Sequence, residues 1–159
     1  MKWLLAFLLM GSLYAEKESF LLVPAAGVFN LFKDEKSADL QLEARFSQAI
    51  YERSPVTIRP LAGALGTSKG SLYLFLGFLV DLKLTSRFFF TPSFSPGVYF
   101  KGKGKDLGSP MEFRSSAELS FRRDKGDRIG LQFCHLSNGG FSNKNPGAEC
   151  LVVFYGISF

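Results

Sequence analysis

The sequence predicts an all-β protein, an eight-stranded antiparallel transmembrane β-barrel of the outer membrane. The chain of 159 residues contains 18 Phe and is 47% hydrophobic, which is rich for a secreted domain. Its apolar residues alternate in segments of about ten, separated by polar turns, as in membrane barrels. Beyond residue 15, no apolar run reaches the about 18 residues that a membrane helix needs.

The first residues have the order of zones found in a secretory signal peptide. Lys2 supplies the positive charge, residues 3–10 form the apolar run, and residues 11–15 are mostly small. We therefore expect a signal peptide over residues 1–15 and a single β-barrel domain over residues 16–159. A buried N-terminal strand or helix is the alternative.

Four strands are predicted in the first half of the domain. The clearest covers residues 39–48, because apolar and polar side chains alternate strictly there. One face of it comprises Leu40, Leu42, Ala44 and Phe46, and the other Asp39, Gln41, Glu43, Arg45 and Ser47. The remaining three strands are residues 20–31, 56–66 and 71–82, and the polar connections are residues 33–37, 52–55 and 67–70.

The second half predicts four more strands. A turn near residues 81–85 precedes a strand within residues 86–100, and a long basic loop covers residues 101–110. The last three strands are residues 111–122, 128–137 and 149–159, with a tight turn at residues 123–127. An even strand number places both termini at one end. The short connections at that end are typical of periplasmic turns and the longer ones opposite of outward loops.

If the apolar faces point to lipid, the charged faces of these strands point inward. The inward set is Glu43, Arg45, Glu112, Arg114, Glu118 and Arg122. Eight strands enclose a space just wide enough for side chains, so these charges are expected to pair into a polar plug rather than line a pore. The last strand alternates and ends on Phe159, which resembles the assembly signal of bacterial outer-membrane barrels. A buried sandwich strand is the alternative, because Val152 and Phe154 break the polar alternation.

Candidate catalytic residues lie in the last hairpin. His135 and Ser137 continue the apolar face of the seventh strand, and Glu149 leads the same face of the eighth, at the end away from the termini. Polar groups facing lipid are costly unless they satisfy each other. A Ser nucleophile, a His base and an orienting carboxylate are the parts of an acyl-transfer site. A purely structural role for this single His is the alternative.

Register sharpens this prediction. Pairing His135 opposite Glu149 also sets Cys134 opposite Cys150 on the inner face, with Cβ atoms about 4.5–5.5 Å apart. That spacing allows a disulfide, while a free thiol pair remains the alternative. Ser137 is roughly 7 Å from His135 along the strand, so a tilt or twist has to close the gap. Candidate oxyanion donors are Asn138 and the backbone N–H groups of Gly139 and Gly140.

Two short motifs resemble a known family. Residues 135–138 (HLSN) and 145–149 (NPGAE) match the His-x-Ser-Asn and Asn-x-Gly-x-Glu pattern of the outer-membrane lipid A 3-O-deacylases, the PagL family. The resemblance implies a Ser-His-Glu triad on the barrel's outer surface that removes the ester-linked 3-position acyl chain of lipid A in lipopolysaccharide, without a metal. It also implies an oxyanion or loop-holding role for Asn138 and Asn145. The two Cys are not part of the pattern.

Two other functions stay open at this point: a non-enzymatic structural or adhesive barrel, and an outer-membrane acyl hydrolase or acyltransferase acting on phospholipid. Lysines at the loop end could contact lipid A phosphates or simply face solvent; they are Lys101, Lys103, Lys105 and Lys144. The net charge of +5 is scattered, so no nucleic-acid partner is expected. Whether the barrel forms a homodimer is left open.

No cofactor is expected. The sequence has no Cys, His and carboxylate spacing of the zinc type and no phosphate-binding Gly loop. Residues 66–70 match the G-x-S-x-G nucleophile elbow, but a strand pattern follows where that elbow needs a helix, so a hairpin loop is predicted.

Overall fold

The computed structural model describes residues 19–159, and the predicted signal peptide over residues 1–15 lies outside the described residues. The strands are β1 (Leu21–Phe29), β2 (Ser37–Arg45), β3 (Tyr51–Arg53), β4 (Val56–Thr67), β5 (Leu72–Lys83), β6 (Phe88–Phe100), β7 (Met111–Arg122), β8 (Arg128–Ser137) and β9 (Ala148–Ser158). Within residues 19–159, the chain forms no helix with the length and apolar character needed to cross a membrane.

Eight of these strands close into an antiparallel barrel. Each long strand pairs with the next one along the chain, β1 pairs with β9, and β2 pairs with β4, which closes the sheet. The short strand β3 pairs only with β4. The prediction of an eight-stranded antiparallel barrel is confirmed.

The connection between β2 and β4 is longer than the predicted turn at residues 52–55. Arg45 at the end of β2 pairs with Leu61, so residues 56–60 of β4 extend beyond β2. The chain folds back as β3, which pairs with the part of β4 that β2 does not reach, for example Tyr51 with Ile58. An unpaired edge would leave backbone N–H and C=O groups without partners, and β3 satisfies them.

The two faces of the barrel wall divide as the alternation predicts. Outward apolar side chains are exposed where lipid would contact them, including Leu40, Leu76, Leu119, Leu131 and Val153. Five predicted inward charges are almost fully buried inside the barrel: Glu43, Arg45, Glu112, Arg114 and Glu118. The sixth, Arg122, lies near the turn end, with its guanidinium over the ring of Phe89.

Four of the five buried charges pair across the barrel interior, whereas the Glu112 carboxylate has no hydrogen-bond partner within residues 19–159. Arg45 donates to Glu118 at 2.6 Å and to Glu43 at 2.7 Å. Arg114 donates to Gln41 at 3.0 Å and lies 3.5 Å from Glu43. Buried ions are tolerated when paired and hydrogen-bonded in this way. The interior is therefore a polar plug, as predicted.

Asp81 corrects one detail of the sequence prediction, which placed this residue at the start of a turn. β5 continues to Lys83, and the Asp81 carboxylate points into the barrel. It accepts hydrogen bonds from Arg59 and Arg128, each at 2.7 Å, and from the Thr91 hydroxyl at 2.7 Å. A carboxylate among two guanidiniums is stabilised in the interior, so the strand can carry it there and turn later.

Replacing Asp81 by asparagine is expected to destabilise the barrel by about 3–5 kcal/mol, because it removes a buried negative charge that two buried guanidiniums contact. Urea unfolding in detergent micelles, followed by the gel mobility of the folded barrel, measures this. Asp124→Asn is the control, since Asp124 forms an exposed ion pair with Arg87 and should change stability by about 1 kcal/mol or less. Equal stability of the two variants would contradict the interior network.

The loop end of the barrel is filled by an apolar cluster. Leu107 from the loop between β6 and β7 is 1% exposed and packs into the barrel mouth with Tyr73, Tyr99 and Leu136. Residues 66–70 cover the end of β4, at Thr67, and the predicted turn toward β5, where the Ser68 hydroxyl accepts from the Ala38 N–H at 3.1 Å. This packing supports the outer ends of β8 and β9 from behind.

Candidate active site

β8 and β9 bring His135 and Glu149 together on the outer surface. The two residues pair directly across the strands, and His135 Nδ1 lies 3.2 Å from Glu149 Oε1. Their side chains are 43% and 20% exposed. A carboxylate can only accept, so Nδ1 is the donor, and in the neutral imidazole Nε2 then carries the lone pair. The predicted register and facing are confirmed.

A disulfide lies directly behind this pair. Cys134 and Cys150 pair across the same two strands, with Cα atoms 5.0 Å apart, and both are fully buried in the barrel interior. The structure therefore contains the cross-link rather than the free thiol pair. A covalent bond next to the His135 and Glu149 pair prevents β8 from slipping against β9, which would turn these side chains to the wrong face.

Ser137 is the last residue of β8 and lies on the same outward face as His135, partly exposed. A second hydroxyl was missed: Ser115 on β7 pairs directly with His135 and is exposed on the lipid-facing surface. The tight turn at residues 123–127 sets the register of β7 against β8, so this neighbour could have been found from the sequence. Two serines therefore lie near His135 on the outward face: Ser115 on β7 and Ser137 on β8.

Asn138 is fully buried where the loop begins, and its side chain joins three parts of that loop end. Its Nδ2 donates to the carbonyls of Leu107 at 3.0 Å and Lys144 at 2.8 Å, and its Oδ1 accepts from the Gly140 N–H at 3.0 Å. Its own N–H donates to Asn145 Oδ1 at 3.1 Å. Both asparagines thus hold the loop together.

Two glycines have direct consequences for the site. The Gly139 N–H forms no hydrogen bond with any residue of the described chain and remains available as a donor. Gly147, at φ +57°, lies against the imidazole: a Cβ there would be 2.8 Å from His135 Cε1. Only glycine accepts both this backbone conformation and this contact.

The four predicted lysines divide into two groups. Lys144 and Lys101 are exposed and lie 2.9 Å and 3.9 Å from Asp106, while Lys103 is exposed nearby. The hydrogen bond from Lys144 is the main reason that the pKa of Asp106 is lowered. Lys105 instead turns inward, and its ammonium donates to Asn30 Oδ1 and to the Gly147 carbonyl.

An apolar groove of about 510 Å³ runs along the lipid-facing side of β6, β7 and β8. Its upper end is lined by Phe133 and Leu151, which are two residues below His135 and Glu149 on the same face. Its lower end is lined by Phe88 and Phe121. No group of three or more His, Cys, Asp or Glu side chains in residues 19–159 is placed to hold a metal ion.

Fold and site define a class of protein: an outer-membrane β-barrel that carries Ser, His and Glu side chains on its lipid-facing surface. A family model described as "Lipid A 3-O-deacylase (PagL)" matches residues 26–158. The chain belongs to this family, as the two motifs predicted. The non-enzymatic alternative is not favoured.

Named relatives agree with this assignment. The "Lipid A deacylase PagL" of Bordetella bronchiseptica is 34% identical over 55 residues, which is 35% of this chain and 31% of that protein. The match thus spans about a third of the relative's length.

Solved structures show the same fold at low identity. The crystal structure of the outer membrane enzyme PagL is 20% identical, with a TM-score of 0.69 over 87% of this chain and 99% of that one. A designed transmembrane β-barrel is 11% identical in sequence, with a TM-score of 0.55 over 92% of this chain and 100% of that one. The outer membrane protein Ail of Yersinia pestis is 11% identical in sequence, with a TM-score of 0.50 over 88% of this chain and 100% of that one.

Proposed function

We propose that this chain hydrolyses the ester that holds the acyl chain at the 3-position of lipid A, with Ser137 as nucleophile. The observation that carries this proposal is the hydrogen-bonded pair of His135 and Glu149 on the lipid-facing surface, with Ser137 on the same face. An acyl ester near the outer leaflet can reach these groups without leaving the membrane.

The steps follow from the orientation of the imidazole. Glu149 accepts a hydrogen bond from Nδ1–H, so Nε2 takes the proton of Ser137 as the hydroxyl oxygen attacks the ester carbonyl. The tetrahedral intermediate collapses, and His135 returns the proton to the departing sugar 3-hydroxyl. Water, deprotonated by His135, then releases the fatty acid from the acylated serine. Ser137 and His135 share no hydrogen bond among the described residues, so the Ser137 hydroxyl moves toward Nε2 when substrate is bound.

Among the candidate oxyanion donors, the Gly139 N–H is the best supported. The Gly140 N–H is already bonded to Asn138 Oδ1, and the Asn138 amide donates to two carbonyls. We therefore give Asn138 and Asn145 the loop-holding role. A backbone N–H aimed at the developing oxyanion stabilises it without reorganisation.

The substrate's charged head would meet the exposed lysines Lys101, Lys103 and Lys144 above the site, where phosphates gain from nearby ammonium groups. All the groups that the proposed reaction uses lie on one barrel, so the reaction requires no homodimer.

Incubating the refolded protein with lipid A tests the reaction. Mass spectrometry should show loss of one 3-position acyl chain and release of the matching fatty acid, with amide-linked chains retained. A phospholipid with the same chain length is the parallel substrate. Faster hydrolysis of the phospholipid than of lipid A would favour the alternative of a phospholipid acyl hydrolase.

The groove below the site should seat the acyl chain that is removed. Ala117 lines this groove and pairs with Phe133, so Ala117→Phe would fill space next to the reacting ester. We expect kcat/KM for a long-chain substrate to fall by about 10-fold or more, and less for a short-chain one. Leu76→Phe, on β5 outside the groove, is the matched control. Equal effects of the two substitutions at both chain lengths would contradict binding of the acyl chain in this groove.

A further inference from the structure

Two loops meet behind the segment that leads into Glu149. The Lys33 ammonium, from the β1–β2 loop, donates to the Pro146 carbonyl at 3.0 Å. The Lys105 ammonium, from the β6–β7 loop, donates to the next carbonyl, that of Gly147. The Leu31 N–H donates to the Glu149 carbonyl at 3.0 Å. Three carbonyls of this segment thus accept hydrogen bonds from residues outside β8 and β9: those of Pro146, Gly147 and Glu149.

Lys105 is the central member of this arrangement. Its ammonium also donates to Asn30 Oδ1 at 2.6 Å, and Asn30 is 1% exposed with φ at 61°. The Asn30 side chain in turn donates to the Glu35 carbonyl at 3.4 Å. A buried amide and a backbone carbonyl therefore fix the ammonium between two loops, and a lysine committed in this way is not free to bind phosphate.

The segment that Lys105 holds is the one that contacts the imidazole. Because a Cβ at Gly147 would be 2.8 Å from His135 Cε1 and 3.4 Å from Nε2, the Gly147 backbone forms one wall of the imidazole pocket. Glu149 orients the ring through Nδ1 at 3.2 Å. The hydrogen bond alone leaves the ring free to tilt about it, and the Gly147 wall limits that tilt.

We infer that Lys105 is a positioning residue: by tying the Gly147 carbonyl to Asn30, it holds the Gly147 backbone against His135 and so directs Nε2 toward Ser137. The inference rests on the proposed function of Ser137 and His135. It also replaces the phosphate-binding role that the sequence suggested for Lys105.

Charge around Lys105 is consistent with this role. Burial, and then the neighbouring Lys33, lower the pKa of Lys105, whereas Glu149 and Glu35 raise it. Glu149 Oε2 is buried without a hydrogen-bond partner in the described chain, so the nearby ammonium also offsets the charge of this carboxylate.

Lys105→Met tests the inference, because methionine keeps much of the side-chain length and removes the ammonium. Refolded full-length protein would be assayed on lipid A and on dephosphorylated lipid A, with Lys36→Met, at an exposed lysine of the β1–β2 loop, as the control. We expect Lys105→Met to lower kcat about 10- to 100-fold on both substrates with little change in KM. Asn30→Gly, which tolerates the positive φ, should shift kcat in the same direction.

A second readout does not depend on activity. His135 is the only His of the chain, so its imidazole nitrogen resonances can be assigned without ambiguity in detergent micelles. They should shift in Lys105→Met and not in Lys36→Met, while both variants keep the gel mobility of the folded barrel. Wild-type kcat and imidazole shifts in Lys105→Met would overturn the inference, as would a loss confined to KM on the phosphorylated substrate. Ser137→Ala, run in parallel, reports separately on the proposed function, since its failure to inactivate would overturn that function whatever Lys105→Met shows.

Discussion

Ser137→Ala is expected to reduce kcat for release of the 3-position acyl chain by at least about 10⁴-fold, with a smaller effect on KM. The substitution removes the atom that attacks the ester and leaves the His135 and Glu149 pair intact. The proposed substrate contacts in the groove and at the exposed lysines do not involve this hydroxyl. Fatty-acid release measured under single-turnover conditions separates the chemical step from binding.

Ser115→Ala is the matched control for this prediction. Ser115 lies on the same outward face, directly opposite His135, and loses the same hydroxyl. Its activity should stay within a few-fold of wild type. If Ser115→Ala were inactive and Ser137→Ala active, the nucleophile would have to be reassigned to β7; two active variants would remove serine catalysis from this surface.

Glu149→Gln is expected to lower kcat by about 10³- to 10⁴-fold. The amide keeps the size of the side chain but can donate to Nδ1, which selects the tautomer with hydrogen on Nε2. In that tautomer Nε2 cannot accept the Ser137 proton, and the imidazolium formed during reaction loses its carboxylate partner. Asp106→Asn is the control, because Asp106 is an exposed carboxylate at the same end of the barrel. Similar losses in the two variants would mean that loop charge rather than the orientation of His135 controls the rate.

Local alternation predicted the barrel wall well. Strict two-residue periodicity over residues 39–46 set the lipid and interior faces of β2, and the short distance between His135 and Glu149 in the chain made their register readable from one hairpin. That same register places Cys134 opposite Cys150, which allows the disulfide but does not distinguish it from a free thiol pair. These features depend on neighbouring strands, so sequence patterns carry them.

Long-range contacts account for what the sequence did not predict. Asp81 reads as a turn residue until Arg128, 47 positions later, places a guanidinium beside it. Lys105 reads as a solvated loop lysine, yet its partner Asn30 is 75 positions away. Strand β3 exists because β4 extends past β2, which depends on the offset of two strands rather than on residues 51–53. None of these follows from periodicity.

The central claim is that Ser137, activated by His135, is the nucleophile on the lipid-facing surface. Labelling of the folded barrel in micelles with a long-chain alkyl fluorophosphonate, which forms a covalent adduct with an activated serine, tests it most directly. Peptide mass spectrometry then locates the adduct. We expect one adduct, on Ser137, that is lost in His135→Asn and in protein unfolded before labelling. An adduct on Ser115, or labelling of Ser137 that is unchanged in His135→Asn, would contradict it.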